Sequence, residues 1–183
     1  MKIEGYHNTE RSNVEDILKN GFQPKFNEKH WLGQGIYFFS DVDIASSNVD
    51  MLTHKEEIKT IAVEIDVAKD EFLDLDIPQA LNDFRRYCNN VILSYKKQGK
   101  ELFAPGVDKR SAILKYRCFF LDLYKQKNNY GVVAKTFPKD APPYAEKIEG
   151  LPYLGYPFYE RYLCVKGNEY IIKKNLVEKE WLV

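Results

Sequence analysis

No stretch of this 183-residue sequence approaches the roughly 20 consecutive apolar residues that a helix needs to cross a bilayer. The opening Met1-Lys2-Ile3-Glu4-Gly5-Tyr6 lacks the pattern of a signal peptide, so a cytoplasmic protein with no membrane partner is expected. Cysteine is scarce. Cys88, Cys118 and Cys164 are widely separated and odd in number, which supports neither a disulfide framework nor a zinc cluster and fits a reducing compartment. Neither sign of charge is in excess, with 27 Lys+Arg against 27 Asp+Glu, so the basic surplus of a general nucleic-acid binder is missing. A local basic face stays open, because net charge says nothing about distribution. Phosphate-loop, GxGxxG and HExxH motifs are absent, and Gly33-Gln34-Gly35 lacks the third glycine and precedes a strand. None of the three histidines, His7, His30 and His54, sits in a recognisable nucleophile context.

What is present is the composition of a globular domain, 44% hydrophobic and 30% charged, in a chain long enough for one core. Lys2–His7 reads as a strand, and a helix starts at Ser12 or Asn13 and stops at Gly21. Phe22–His30 is a polar loop; the glycine turn then feeds an apolar strand, Ile36–Phe39. Asp41 or Asp43 caps a short helix through about Asp50. Thr60–Val67 alternates cleanly, as a half-buried strand should. Phe72–Leu75 is a further short strand. Pro78 opens a helix to Lys97 that Gly99 stops, Leu102–Val107 is a loop, and Ser111–Lys125 is a second long helix. Gly131–Lys135 is strand-like, while the prolines and glycines of Pro138–Tyr156 argue against regular structure. Tyr159–Val165 and Glu169–Leu176 close the chain as two strands or a bulged hairpin. Strands come early and late with helices between and no βαβ alternation, which predicts an α+β fold of mostly antiparallel strands.

Two segments stand apart from this background: Gly5-Tyr6-His7-Asn8-Thr9, and Trp31-Leu32-Gly33-Gln34-Gly35-Ile36-Tyr37-Phe38-Phe39-Ser40. Taken singly, His7, Tyr37 and Trp31 each read as packing residues, Trp31 under the glycine turn. Taken together, the segments resemble the ADP-ribosyltransferase superfamily, in the His–Tyr–Glu branch of diphtheria toxin and the poly(ADP-ribose) polymerases. They are most like bacterial proteins with a Trp-Leu-Gly-x-Gly-Ile-Tyr-Phe signature. The likeness covers roughly residues 4–50, weakens at Thr60–Val67 and in the last 25 or so residues, and is absent across the helical middle. It implies one domain over residues 1–183, with split antiparallel β-sheets and a helical insertion at about 78–126.

The resemblance implies an enzyme that uses NAD as substrate, without metal or further cofactor. His7 would bind the adenosine ribose, and Asn8, with Thr9 beside it, would hold the nicotinamide carboxamide through backbone bonds. Relatives carry glycine at the Asn8 position. Tyr37 would stack on nicotinamide, and Asn48 falls where relatives have a second stacking tyrosine. Cleavage of the nicotinamide–ribose bond passes through an oxocarbenium-like state that a carboxylate stabilises, as in glycoside hydrolysis. Glu160, in Tyr159-Glu160-Arg161-Tyr162, is the favoured carboxylate, with Tyr162 where relatives carry Gln or Glu. A second register makes it Glu169. By the same analogy the chain is a bacterial toxin or phage-defence effector, paired with an antitoxin protein if it harms its own cell. The acceptor, protein or nucleic acid, is not named by the sequence, although Tyr144, Tyr153, Tyr156, Phe158, Tyr159 and Tyr162 cluster where related toxins recognise it. NAD hydrolysis and non-catalytic binding of NAD or ADP-ribose are the competing readings.

Overall fold

A computed structural model describes residues 1–50, 57–100, 109–139, 147–148, 151–152 and 158–177. Seven strands form one mixed sheet in the order β4-β5-β8-β2-β1-β3-β9. These are β1 (Lys2–Glu10), β2 (Ile36–Phe39), β3 (Ile58–Asp66), β4 (Phe72–Asp74), β5 (Val132–Lys139), β8 (Phe158–Val165) and β9 (Ile171–Leu176). Between β5 and β8, β6 (Lys147–Ile148) and β7 (Leu151–Pro152) make a separate two-stranded ribbon. The helices are α1 (Val14–Asn20), α2 (Val42–Asp50), α3 (Pro78–Lys97) and α4 (Lys109–Asn128). The fold is therefore α+β.

Strand alternation divides the sheet into two apolar faces. Ile36, Phe38, Ile61, Val63, Ile65, Leu163 and Val165 form one core with Ile17 of α1 and Phe22. Val133 and Cys164 form the other with Leu73, Leu121 and Tyr124, so α4 covers that face, with Tyr37 and Tyr162 packed against it. β1 can lie close over the first core because residue 5 is glycine: a Cβ there would come 2.9 Å from Phe38 Cβ. Asp41 caps α2, its Oδ1 accepting from Asp43 N–H at 2.8 Å and Ile44 N–H at 3.2 Å.

Of the two alternatives for the closing segments, two separate strands is the one observed: β8 lies between β5 and β2, whereas β9 pairs β3 at the far edge. Three expectations need correction. The stretch after Gly131 stays extended through Pro138, which pairs Tyr159 beyond the end of the short β4, where an absent N–H costs no ladder bond. Lys147–Ile148 and Leu151–Pro152 are also strands, whereas 140–146, 149–150, 153–157 and the loop Leu102–Val107 lie outside the described residues. The chain does hold one crossover, since β4 and β5 run parallel with α3 and α4 between them; the other paired strands of this sheet are antiparallel.

Candidate active site

The site forms where two adjacent strands part. β1 and β2 meet at a single paired position, Tyr6 opposite Phe39, although β1 pairs β3 along its whole length. Past that position the His7 side chain takes over the role of the ladder, its Nδ1 lying 2.8 Å from the carbonyl oxygen of Tyr37. A carbonyl only accepts, so Nδ1 carries the proton. Burial holds the imidazole below its ordinary pKa, against the opposing effect of this bond, and keeps it neutral. Its Nε2 therefore presents a lone pair. The ring is fixed edge-on between Phe22, at 5.0 Å, and Phe38, at 5.8 Å.

A cleft of about 400 Å³ occupies the gap, lined by His7, Thr9, Lys25, His30, Ile36 and Tyr37 among others. His30, given no role by sequence, packs at 4.9 Å from the Tyr37 ring and leaves a buried Nδ1 without a hydrogen-bond partner among the described residues. Asn13 Nδ2 reaches Thr9 Oγ1 at 3.4 Å on the same wall.

The Tyr37 hydroxyl accepts from Leu32 N–H at 2.7 Å and donates to Gly33 O at 2.8 Å, so it closes the glycine turn on itself. Gly33 is required there: its φ is +81°, and a Cβ would lie 2.4 Å from Asp122 Oδ1. The turn is held from behind by α4. Asp122 Oδ1 accepts from Gln34 N–H at 2.7 Å, and the buried Lys125 donates to Gln34 O at 2.6 Å while pairing Asp122 at 3.0 Å. Sequence gave Asp122 and Lys125 no role, because nothing local links a helix 88 residues away to a turn.

On the other face of the sheet, α2 gathers the remaining residues. Asn8 Nδ2 donates to Ala45 O at 2.7 Å, and its Oδ1 accepts from Thr60 Oγ1 at 2.8 Å. The Asn8 side chain thus ties β1 to α2 and β3. One turn along α2, Asn48 Nδ2 donates to Glu160 Oε1 at 2.8 Å. Glu160 is 6% exposed. Lys139 Nζ also donates to its Oε1, and the Tyr162 hydroxyl donates to its Oε2. Burial pushes this carboxyl up; the hydrogen bonds from Lys139, Tyr162 and Asn48, with the Lys139 charge, outweigh it and hold the group ionised below its ordinary range. Burial, and then the Glu160 carboxylate, push the Tyr162 phenol upward.

Glu160 and Asn48, 112 positions apart, therefore meet. Glu169 does not join them: it lies exposed in the turn Asn168–Tyr170 before β9. Its neighbour Asn168 instead clamps the Phe22 backbone, accepting from its N–H at 2.8 Å and donating to its carbonyl at 2.9 Å. Tyr144, Tyr153 and Tyr156 lie outside the described residues.

The chain matches no protein-family model, no curated protein and no solved structure. The geometry offers an acceptor for a hydroxyl at His7 Nε2, an aromatic ring at Tyr37, and an ionised, nearly buried carboxylate at Glu160. His7 lies on the α1 face of the sheet with the cleft, whereas Glu160, Asn48 and Asn8 lie on the α2 face and do not line that cleft. No group of three or more potential metal-ligating His, Cys, Asp or Glu gathers among the described residues, and none of their helices is long and apolar enough to cross a membrane.

Proposed function

We propose that this chain binds NAD across the parting of β1 and β2 and transfers its ADP-ribose to a macromolecular acceptor. The observation that carries the reading is the His7–Tyr37 bond. It fixes the tautomer, so that Nε2 accepts a hydrogen bond from a ribose hydroxyl of the adenosine half. Lys25, among the residues lining the cleft, supplies positive charge for the diphosphate. The Tyr37 ring and the Asn8 backbone then lie toward the nicotinamide half, as the resemblance implies.

Glu160 supplies negative charge that stabilises the ribose as the bond to nicotinamide breaks. The electron pair of that bond returns to the pyridinium nitrogen, which leaves as neutral nicotinamide. The acceptor nucleophile bonds the same ribose carbon, and its proton passes to solvent. On this reading the fold is the split-sheet form of the ADP-ribosyltransferases, and the toxin or defence role with its antitoxin follows by family analogy alone.

One observation favours a second reading, a module that binds NAD without turnover: both Glu160 oxygens are already taken, by Asn48 and Lys139 on one and Tyr162 on the other. Incubation with NAD carrying one label in the nicotinamide ring and a second in the adenine separates the readings. Release together with label transfer from the ADP-ribose half supports the transferase, release without transfer marks a hydrolase, and binding without release selects the module. Absence of NAD binding overturns all three.

A further inference from the structure

Trp31, read from sequence as packing beneath the glycine turn, is 42% exposed. Its indole stands against two rings on the Glu160 side of the sheet, Phe137 at 5.3 Å and Tyr162 at 5.5 Å. Tyr162 is the residue whose hydroxyl bonds Glu160, so this aromatic shelf adjoins the carboxylate. Arg117 of α4 completes it, with its guanidinium carbon 5.6 Å from the centre of the Phe137 ring. Arg117 has no carboxylate partner among the described residues, and its Nε is buried without a hydrogen-bond partner. Burial lowers its pKa, with Tyr37 and Cys118 opposing.

The surrounding acids are already satisfied. Glu160 is paired with Lys139, Asp74 with Arg161, and Asp76 with both Lys135 and Arg161. Among the described residues the patch therefore combines a partly exposed indole with a cation that has no carboxylate partner.

We infer that Trp31, Phe137, Tyr162 and Arg117 form an acceptor subsite that takes an unpaired base of a single-stranded nucleic acid, the indole stacking on the base and Arg117 meeting an adjacent phosphate. A nucleotide brings one flat ring and one negative charge at a fixed spacing, which is the pairing this shelf presents. A protein acceptor brings an aromatic side chain without an obligatory anion. The chain's zero net charge agrees with recognition at one nucleotide rather than along a polyanion. The inference rests on the transferase reading for the word acceptor, but the binding stands independently of it.

The test is fluorescence anisotropy of a dye-labelled, ten-nucleotide single-stranded RNA with the full chain, without NAD. Binding is expected to weaken about tenfold or more in Trp31→Ala and to be largely kept in Trp31→Phe. Arg117→Gln should weaken binding and lower its salt slope by about one. With Trp181→Phe as background, Trp31 is the sole tryptophan, and its emission should quench saturably with the unlabelled RNA. Three binding results overturn the inference: no RNA binding by the wild type, equal binding by Trp31→Ala with its fold intact by thermal melt, or equal binding of the matching duplex. Quenching by a phenylalanine tripeptide but not by RNA overturns it in favour of a protein acceptor. Nicotinamide release by the wild type is followed in parallel. RNA binding without release counts against the transferase reading and leaves the subsite standing; release without RNA binding does the reverse.

Discussion

Asn48 and Glu160 are joined by a hydrogen bond of 2.8 Å that runs from the second helix to the strand beside the divergence of β1 and β2. Asn48 stands where the family resemblance expects a ring, and it uses an amide to hold the carboxylate instead. Asn48→Ala should lower stability by about 1 kcal/mol, the ordinary worth of one partly buried hydrogen bond, and should loosen Glu160. Nicotinamide release is expected to fall roughly tenfold. Unchanged release in a folded variant would remove Asn48 from the site.

Replacing the acid itself is a stronger perturbation. Glu160→Gln keeps the shape but removes the charge, and nicotinamide release should fall by about 100-fold to 1000-fold. NAD affinity, followed by calorimetry, should change little. Lys139→Met gives a different signature, because burial then raises the Glu160 carboxyl without the cation that opposes it. The acid limb of the release profile should move to higher pH. A limb that stays in place would mean that another group sets it.

The Asn8 side chain is a three-element clamp, tying β1 to α2 and β3. Asn8→Gly should cost about 1–3 kcal/mol in a urea melt. Thr60→Val removes one of the same two hydrogen bonds, so the double variant should fall short of the sum of the single effects. Full additivity would show that the two side chains act separately.

The acid stability of the protein can be assigned in sign. His7 and His30 have folded pKa values below the unfolded 6.5, burial being the largest cause in each. Their contribution is whole above about pH 6.5 and is lost as pH falls through the lowered folded values. For Asp76, burial acts upward, but the hydrogen bonds from Lys135 and Thr136 bring the carboxyl down to about 2. Its contribution is whole above the unfolded 3.8 and is lost last, as pH approaches 2. Calorimetric Tm should therefore decline in two stages on acidification. His7→Asn should flatten the stage below pH 6.5, and Asp76→Asn the stage below pH 4.

Much of the local structure was legible in the residues. The alternation through Ile61, Val63 and Ile65 marked β3, and Pro78 and Gly99 bracketed α3. Strand partnership was not legible: β8 and β9 each carry a sound strand pattern, but nothing in a period of two names the neighbour. The Trp31 reading failed for a related reason. An aromatic beside a glycine turn is ordinarily buried, and only the placement of Phe137 and Tyr162 leaves its outer face open. In the candidate site, His7, Tyr37, Asn48 and Glu160 were singled out through the family resemblance, and the structure joins His7 to Tyr37 and Asn48 to Glu160. The clamp at Asn8, the Lys139 ammonium and the Asp122–Lys125 brace depend on contacts across 21 to 91 positions, which no local pattern encodes.

The single paired position between β1 and β2 has a consequence for how such a gap is kept. Parallel or antiparallel neighbours ordinarily zip until their backbones run out, and an open edge between them is unstable against closure. Here the Tyr37 carbonyl, which would otherwise seek a partner from β1, is occupied by an imidazole. His7 therefore acts as a spacer. The width of the opening is written into one side chain, and any residue there too short to reach the carbonyl would let the sheet draw shut over its own cleft.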